Sequence, residues 1–165
     1  MTRHGARCPP RSAHTAGSCA PIGTSVRYAY PSVMADQAAA RVTWGEGHEA
    51  LVDSVRALDT LLDQLQGEAK VEPFMAEVTA SSGDSLALGL GTAATVLSWV
   101  AASGEPPYFC SLGDETADGV LIFRYAGSWS EFPASSAISY EEGRQAVREF
   151  LLTGTRPANQ AWTEV

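Results

Sequence analysis

Between residues 84 and 133 the chain breaks into short apolar runs separated by turn residues, and this stretch limits what it can fold into. Ser85 to Leu90 alternates with period two, the pattern of a half-buried strand, and stops at Gly91. Val96, Leu97, Trp99 and Val100 form a second apolar run. Ser103-Gly104-Glu105 then supplies a turn, and Pro106-Pro107 sets an extended entry into a strand over residues 108–112. A polar loop follows from Gly113 to Gly119. Residues 120–125 are β-branched and aromatic, and Gly127-Ser128 turns them into Trp129-Ser130-Glu131-Phe132, which Pro133 ends. Connections this short favour an antiparallel meander, because parallel pairing needs a crossover of about a dozen residues or more.

The flanks add helices. Residues 41–44 and 48–52 read as two strands joined by Gly45-Glu46-Gly47. With Asp53 or Ser54 as cap, Val55, Leu58, Leu61, Leu62 and Leu65 make one apolar helix stripe. Arg56, Asp59, Asp63 and Gln66 are placed on the water side, and Gly67 is a fitting stop. Residues 73–80 are a further strand candidate. Ser139-Tyr140-Glu141-Glu142 is a capping box that opens a second amphipathic helix with Ala146, Val147, Phe150 and Leu151 on its apolar face, ended by Gly154. Residues 156–162 run out as an extended tail with Trp162 as an anchor. A chain of 165 residues with one plausible core fits a single α+β domain: an antiparallel β-sheet meander with two main helices packed on it.

Residues 1–33 stand apart. They are rich in Pro, Ser, Ala, Gly and Arg, show no hydrophobic periodicity and lack the apolar core of a secretory signal. Met34 immediately precedes the first globular-looking sequence. The expectation is that translation begins there and that residues 34–165 form the domain; a disordered arm is the alternative. The head carries four arginines and no acid, so it contributes +4 to a net charge of −8, and the remaining 132 residues hold −12. That balance argues against nucleic acid as a direct partner and suits a basic protein. No apolar run approaches the roughly 20 residues of a membrane span, so no membrane partner is expected. Cys8, Cys19 and Cys110 form no spaced set; neither a disulfide framework nor a zinc site follows, and a reducing cytoplasm is the simplest compartment.

Few residues of the chain fit a catalytic pattern. His48 is the one histidine outside the head, and no Gly-x-Ser-x-Gly elbow accompanies it, so it reads as a turn or strand-edge residue. Glu105, Asp114, Glu115, Asp118 and Glu131 recur through loops and a strand end. Paired carboxylates of this kind can serve acid-base hydrolysis, although solvated loop charges are far commoner. Gly89-Leu90-Gly91 lacks the Gly-Lys-Ser/Thr of a phosphate loop and reads as a strand bulge or bend. No catalytic residue, metal ligand or cofactor is assigned. Among the four tryptophans, Trp129 is flanked by Gly127, Ser128, Ser130 and Glu131, the setting of an exposed anchor rimmed by polar groups.

At Leu97-Ser98-Trp99, Gly104-Glu105-Pro106-Pro107-Tyr108, the run from Gly127 to Pro133 and the ending from Arg156 to Val165, the chain resembles the first immunity-protein family of bacterial polymorphic toxin systems. The likeness spans about residues 42 to 165. It implies a non-enzymatic α+β domain that binds and neutralises a cognate toxin, in that family often a nucleic-acid deaminase; the expectation for this chain is a stoichiometric complex that blocks the active site of a nucleic-acid (cytidine) deaminase. A nuclease or other toxin is the alternative within this class. A small-molecule-binding module and a small hydrolase are the readings outside it. The family brings no catalytic residues to this chain. By their own chemistry and setting, Trp129, Glu131, Glu105, Asp114, Glu115 and Asp118 are the candidate toxin-binding residues.

Overall fold

The computed structural model describes residues 39–165. The arginine-rich head, Cys8, Cys19 and the Met34 start lie outside the described residues. Strands β1 (Ala40–Trp44) and β2 (His48–Val52) form a hairpin over Gly45 and Gly47, both at positive φ. Helix α1 (Val55–Glu68) follows, with the Ser54 hydroxyl accepting the Ala57 amide at 3.2 Å. Next come β3 (Phe74–Thr79), β4 (Ser85–Leu90), β5 (Ala94–Thr95), β6 (Leu97–Val100) and β7 (Phe109–Ser111). After the polar loop, β8 (Val120–Tyr125) and β9 (Ser128–Pro133) make a second hairpin. A 3-10 turn, β10 (Ile138–Ser139), α2 (Tyr140–Thr153) and β11 (Trp162–Glu164) complete the chain.

The main sheet runs β11-β7-β6-β4-β3-β1-β2, each pair antiparallel; β5 and β10 pair separately. The α+β class with an antiparallel sheet and two helices is as the sequence implies. Both helices bury their apolar stripes on one sheet face: Leu58, Leu62 and Leu65 of α1, and Ala146, Val147, Phe150 and Leu151 of α2, meet Val78, Leu86, Leu88 and Leu90. Among the described residues, no helix is long and apolar enough to cross a membrane.

The capping box at Ser139 and Glu142 forms, and Gly154 closes α2 at φ +65°. Several local expectations change for reasons that lie across the fold. The meander continues only through β7; its outer neighbour is the C-terminal strand β11, while β8 and β9 fold back over the sheet face opposite the helices. Strand β4 is therefore buried almost throughout rather than half-buried. Gly89 stays in regular pairing with Met75, and its missing side chain is what lets the Phe123 ring lie against the strand: a Cβ there would stand 2.6 Å from Cζ. Gly67 does not stop α1, which runs on to a cap at Ala69, a fully buried residue whose amide reaches the Leu65 carbonyl at 2.8 Å.

Three residues assigned to the water side of α1 have partners instead, Asp63 accepting from Nη1 of Arg144. Gln66 accepts the Gly91 amide at 2.9 Å and donates to the Thr92 carbonyl at 3.1 Å. Asp59 accepts from Nε of Arg144 at 3.0 Å and Nε of Arg148 at 2.9 Å, which ties α1 to α2. The tail beyond Arg156 gains a strand, and Trp162 donates its indole N–H to the Pro157 carbonyl at 2.8 Å.

Candidate functional site

The β8–β9 hairpin is closed by Ala126 (φ +48°) and Gly127 (φ +82°), with Tyr125 opposite Ser128. Two consecutive left-handed residues give the turn whose twist matches a right-twisted strand pair. Alternation along the strands then sorts the side chains. Leu121, Phe123, Tyr125 and Phe132 point inward, and Phe123 is fully buried among Met75, Ala87 and Val96. The Tyr125 hydroxyl donates to the Glu77 carboxylate at 2.5 Å. Burial first, and then this bond and the charge of Glu77, hold the phenol well above its ordinary pKa.

The outer face has the opposite character. Val120 is 55% exposed, Ile122 46% and Trp129 59%. The register sets Val120 opposite Pro133, Ile122 opposite Glu131 and Arg124 opposite Trp129. Directly paired residues share a face, so these six side chains form one surface with an apolar majority. Trp44, Trp99 and Trp162 are, by contrast, half-buried against the helix-side core.

A cleft of about 500 Å³ opens beside this face, between the β1–β2 turn, the last turn of α1 and the β8–β9 turn. Its walls include Trp44 stacked on His48 at 5.8 Å, Phe74, and the carboxylates of Glu46, Glu68 and Glu72. Arg124 reaches into it, 3.5 Å from Glu46 and 3.4 Å from Glu72. Arg124 is also where the hairpin pairs with the main sheet: it lies opposite Phe74 of β3, beyond the last residue that β1 pairs with β3.

The sequence-derived candidates are distributed unevenly. Trp129 and Glu131 sit on the outer hairpin face. Asp114, Glu115 and Asp118 belong to the loop that enters β8 at Gly119, whose carbonyl accepts the Ala134 amide at 2.9 Å. Asp114 is engaged within that loop: it accepts the Thr116 hydroxyl at 2.6 Å and amide at 2.9 Å, and these bonds keep its carboxyl below the ordinary range. Glu105 lies beyond the opposite end of β7. It lines a separate depression with Trp99, Phe109 and Arg156, whose guanidinium stacks 3.8 Å from the Phe109 centroid.

Sequence reasoning missed Val120, Ile122 and the whole cleft. The apolar run of β8 held a usable signal, since a two-stranded hairpin covering a sheet can bury only one of its faces. The cleft had none, because Trp44, Glu68, Glu72 and Arg124 meet only in the fold. His48 is an exposed strand residue. Cys110 is buried, which raises its thiol pKa and suits an inert core cysteine. Among the described residues, no group of three or more His, Cys, Asp or Glu is arranged to hold a metal ion.

The family model of Immunity protein Imm1 matches residues 46–164. None of the curated proteins compared matches the chain.

Proposed function

The chain belongs to the Imm1 family of immunity proteins, antidotes of toxin systems, and on that premise we propose that it neutralises a nucleic-acid (cytidine) deaminase toxin by stoichiometric binding over the active site. The action is binding rather than turnover, it takes place in the cytoplasm, and residues 34–165 act as the binding domain. The observation that carries this reading is the outer face of the β8–β9 hairpin, where Trp129 stands exposed on a rigid strand pair in a domain of net charge −12. A toxin that handles nucleic acid needs a basic substrate groove. An acidic partner is drawn to such a groove by long-range attraction, and an aromatic anchor then slows its departure. Trp129 is the anchor in this scheme. Glu131, Asp114, Glu115, Asp118 and Glu105 supply the attracting charge, and a filled groove admits no nucleotide.

The test uses a purified cytidine deaminase toxin domain from the source organism. Cytidine deamination in single-stranded DNA should fall to background at one molar equivalent of the full chain. Undiminished deamination at tenfold excess would overturn the reading. A toxin that cleaves the strand instead, and is still inhibited, would replace the deaminase with a nuclease.

A further inference from the structure

We propose that the outer face of the β8–β9 hairpin and the acidic cleft beside its turn are one continuous docking surface, on which the toxin seats an apolar patch over Ile122 and Trp129 and inserts a lysine or arginine side chain into the cleft. The inference rests on the immunity reading and specifies where the toxin sits. Val120, Ile122, Trp129 and Pro133 form an apolar strip on regular backbone. The hairpin beneath is fixed by Phe123 and Phe132, whose rings meet edge-on at 6.1 Å, so little order has to be gained on binding. Arg124 makes the surface continuous, since it faces Trp129 across the strands and also lines the cleft.

The charge of the cleft identifies what enters it. Three carboxylates, Glu46, Glu68 and Glu72, share a single guanidinium. Arg124 divides itself between Glu46 and Glu72 at long range, and among the described residues Glu68 accepts only the Gln64 side-chain amide, at 2.8 Å. The surplus is negative, and aromatic faces stand beside it in Trp44 and Phe74. Carboxylates next to aromatic rings suit a cation with an apolar stem, which a lysine or arginine side chain is. A second copy of this chain is the wrong occupant: two domains that each carry −12 repel one another, and a copy brings no surplus of cations to the cleft. Nucleic acid is excluded on the same sign of charge.

The experiment measures affinity between the full chain and an inactivated toxin domain that the wild-type chain inhibits, at low and moderate salt. Three variants are compared after equal melting temperatures confirm their folding. Trp129→Ala should weaken binding by about 30-fold or more. The double change Glu68→Gln with Glu72→Gln should weaken it by about tenfold at low salt and reduce its salt dependence. Glu164→Gln, on the far edge strand, should stay within about twofold. Wild-type affinity in either the Trp129 variant or the double variant overturns the continuous surface while the immunity reading stands. A wild-type chain that does not bind the toxin overturns both. A concentration-dependent dimer abolished by Trp129→Ala would give the face to a second copy and overturn the assigned occupant.

Discussion

Phe123 joins the β8–β9 hairpin to the rest of the molecule, and a double-mutant cycle with Gly89 tests that role. The ring is fully buried, and its edge lies so close to Gly89 that an added Cβ would meet Cζ at 2.6 Å, Cε1 at 2.7 Å and Cε2 at 3.0 Å. Phe123→Ala leaves a ring-sized void between hairpin and sheet, a loss of about 3–5 kcal/mol. Gly89→Ala alone forces the ring outward and costs about 1–3 kcal/mol, because the surrounding Met75, Ala87 and Val96 leave no second position for it. With the ring removed, the new methyl falls into vacated space. The double variant should therefore be more stable than the sum of the two losses implies, by about 1 kcal/mol or more. Urea unfolding followed by circular dichroism gives all four free energies. Strict additivity, or a Phe123→Ala loss below about 1 kcal/mol, would refute the claim that this contact fixes the hairpin.

Three further perturbations test other joints. Burial on its own would raise the Asp59 carboxyl, but hydrogen bonds and charge from Arg148 and Arg144 outweigh it and leave the pKa below the ordinary value. A depressed carboxylate stabilises the fold above its unfolded pKa of about 3.9 and loses that contribution as pH falls through the folded value. Asp59→Asn should thus cost about 2 kcal/mol at pH 7 and progressively less in acid; an undiminished difference at low pH would sink the argument. Ser139→Ala removes the hydroxyl that accepts the Glu142 amide at 3.2 Å and should cost about 1 kcal/mol, read from the thermal midpoint. Tyr125→Phe removes the donor to Glu77 and should cost about 1–2 kcal/mol in urea unfolding; an unchanged midpoint would mean that water replaces the bond without loss.

The parts of this fold legible in the sequence are those whose cause is local. Period-two alternation marks the strands, Ser139 and Glu142 mark the start of α2, and Gly154 marks its end, because each signal acts within a few residues. Strand β4 shows where that stops. Its alternation is correct, yet both its faces are buried, since β8 and β9 return over Ala87 and Gly89 from more than 30 residues away. Asp59 has the sequence setting of a solvated helix charge, but its partners lie 85 and 89 residues further on. The candidate surface divides along the same line. Trp129 is visible because its own neighbours are small and polar. Ile122 is hidden in a run that is apolar on both faces, and no spacing rule connects Trp44, Glu72 and Arg124.

The placement of the hairpin joins stability to function. A single pairing position, Phe74 with Arg124, joins it to β3, and the cluster around Phe123, the Tyr125–Glu77 hydrogen bond and the Arg124 ion pairs with Glu46 and Glu72 complete the attachment. Its inner face is thus committed to the core, while its outer face is free to present apolar side chains that a closed sheet would bury. Extending the main sheet with β8 in place of β11 would not give this arrangement: one broad face would remain open, and Phe123 would lose its seat on Gly89. Folding the hairpin back covers the open face and creates a smaller, exposed one beside an acidic cleft. On this architecture, Phe123 and Tyr125 on the inner face set the position of Trp129 on the outer one.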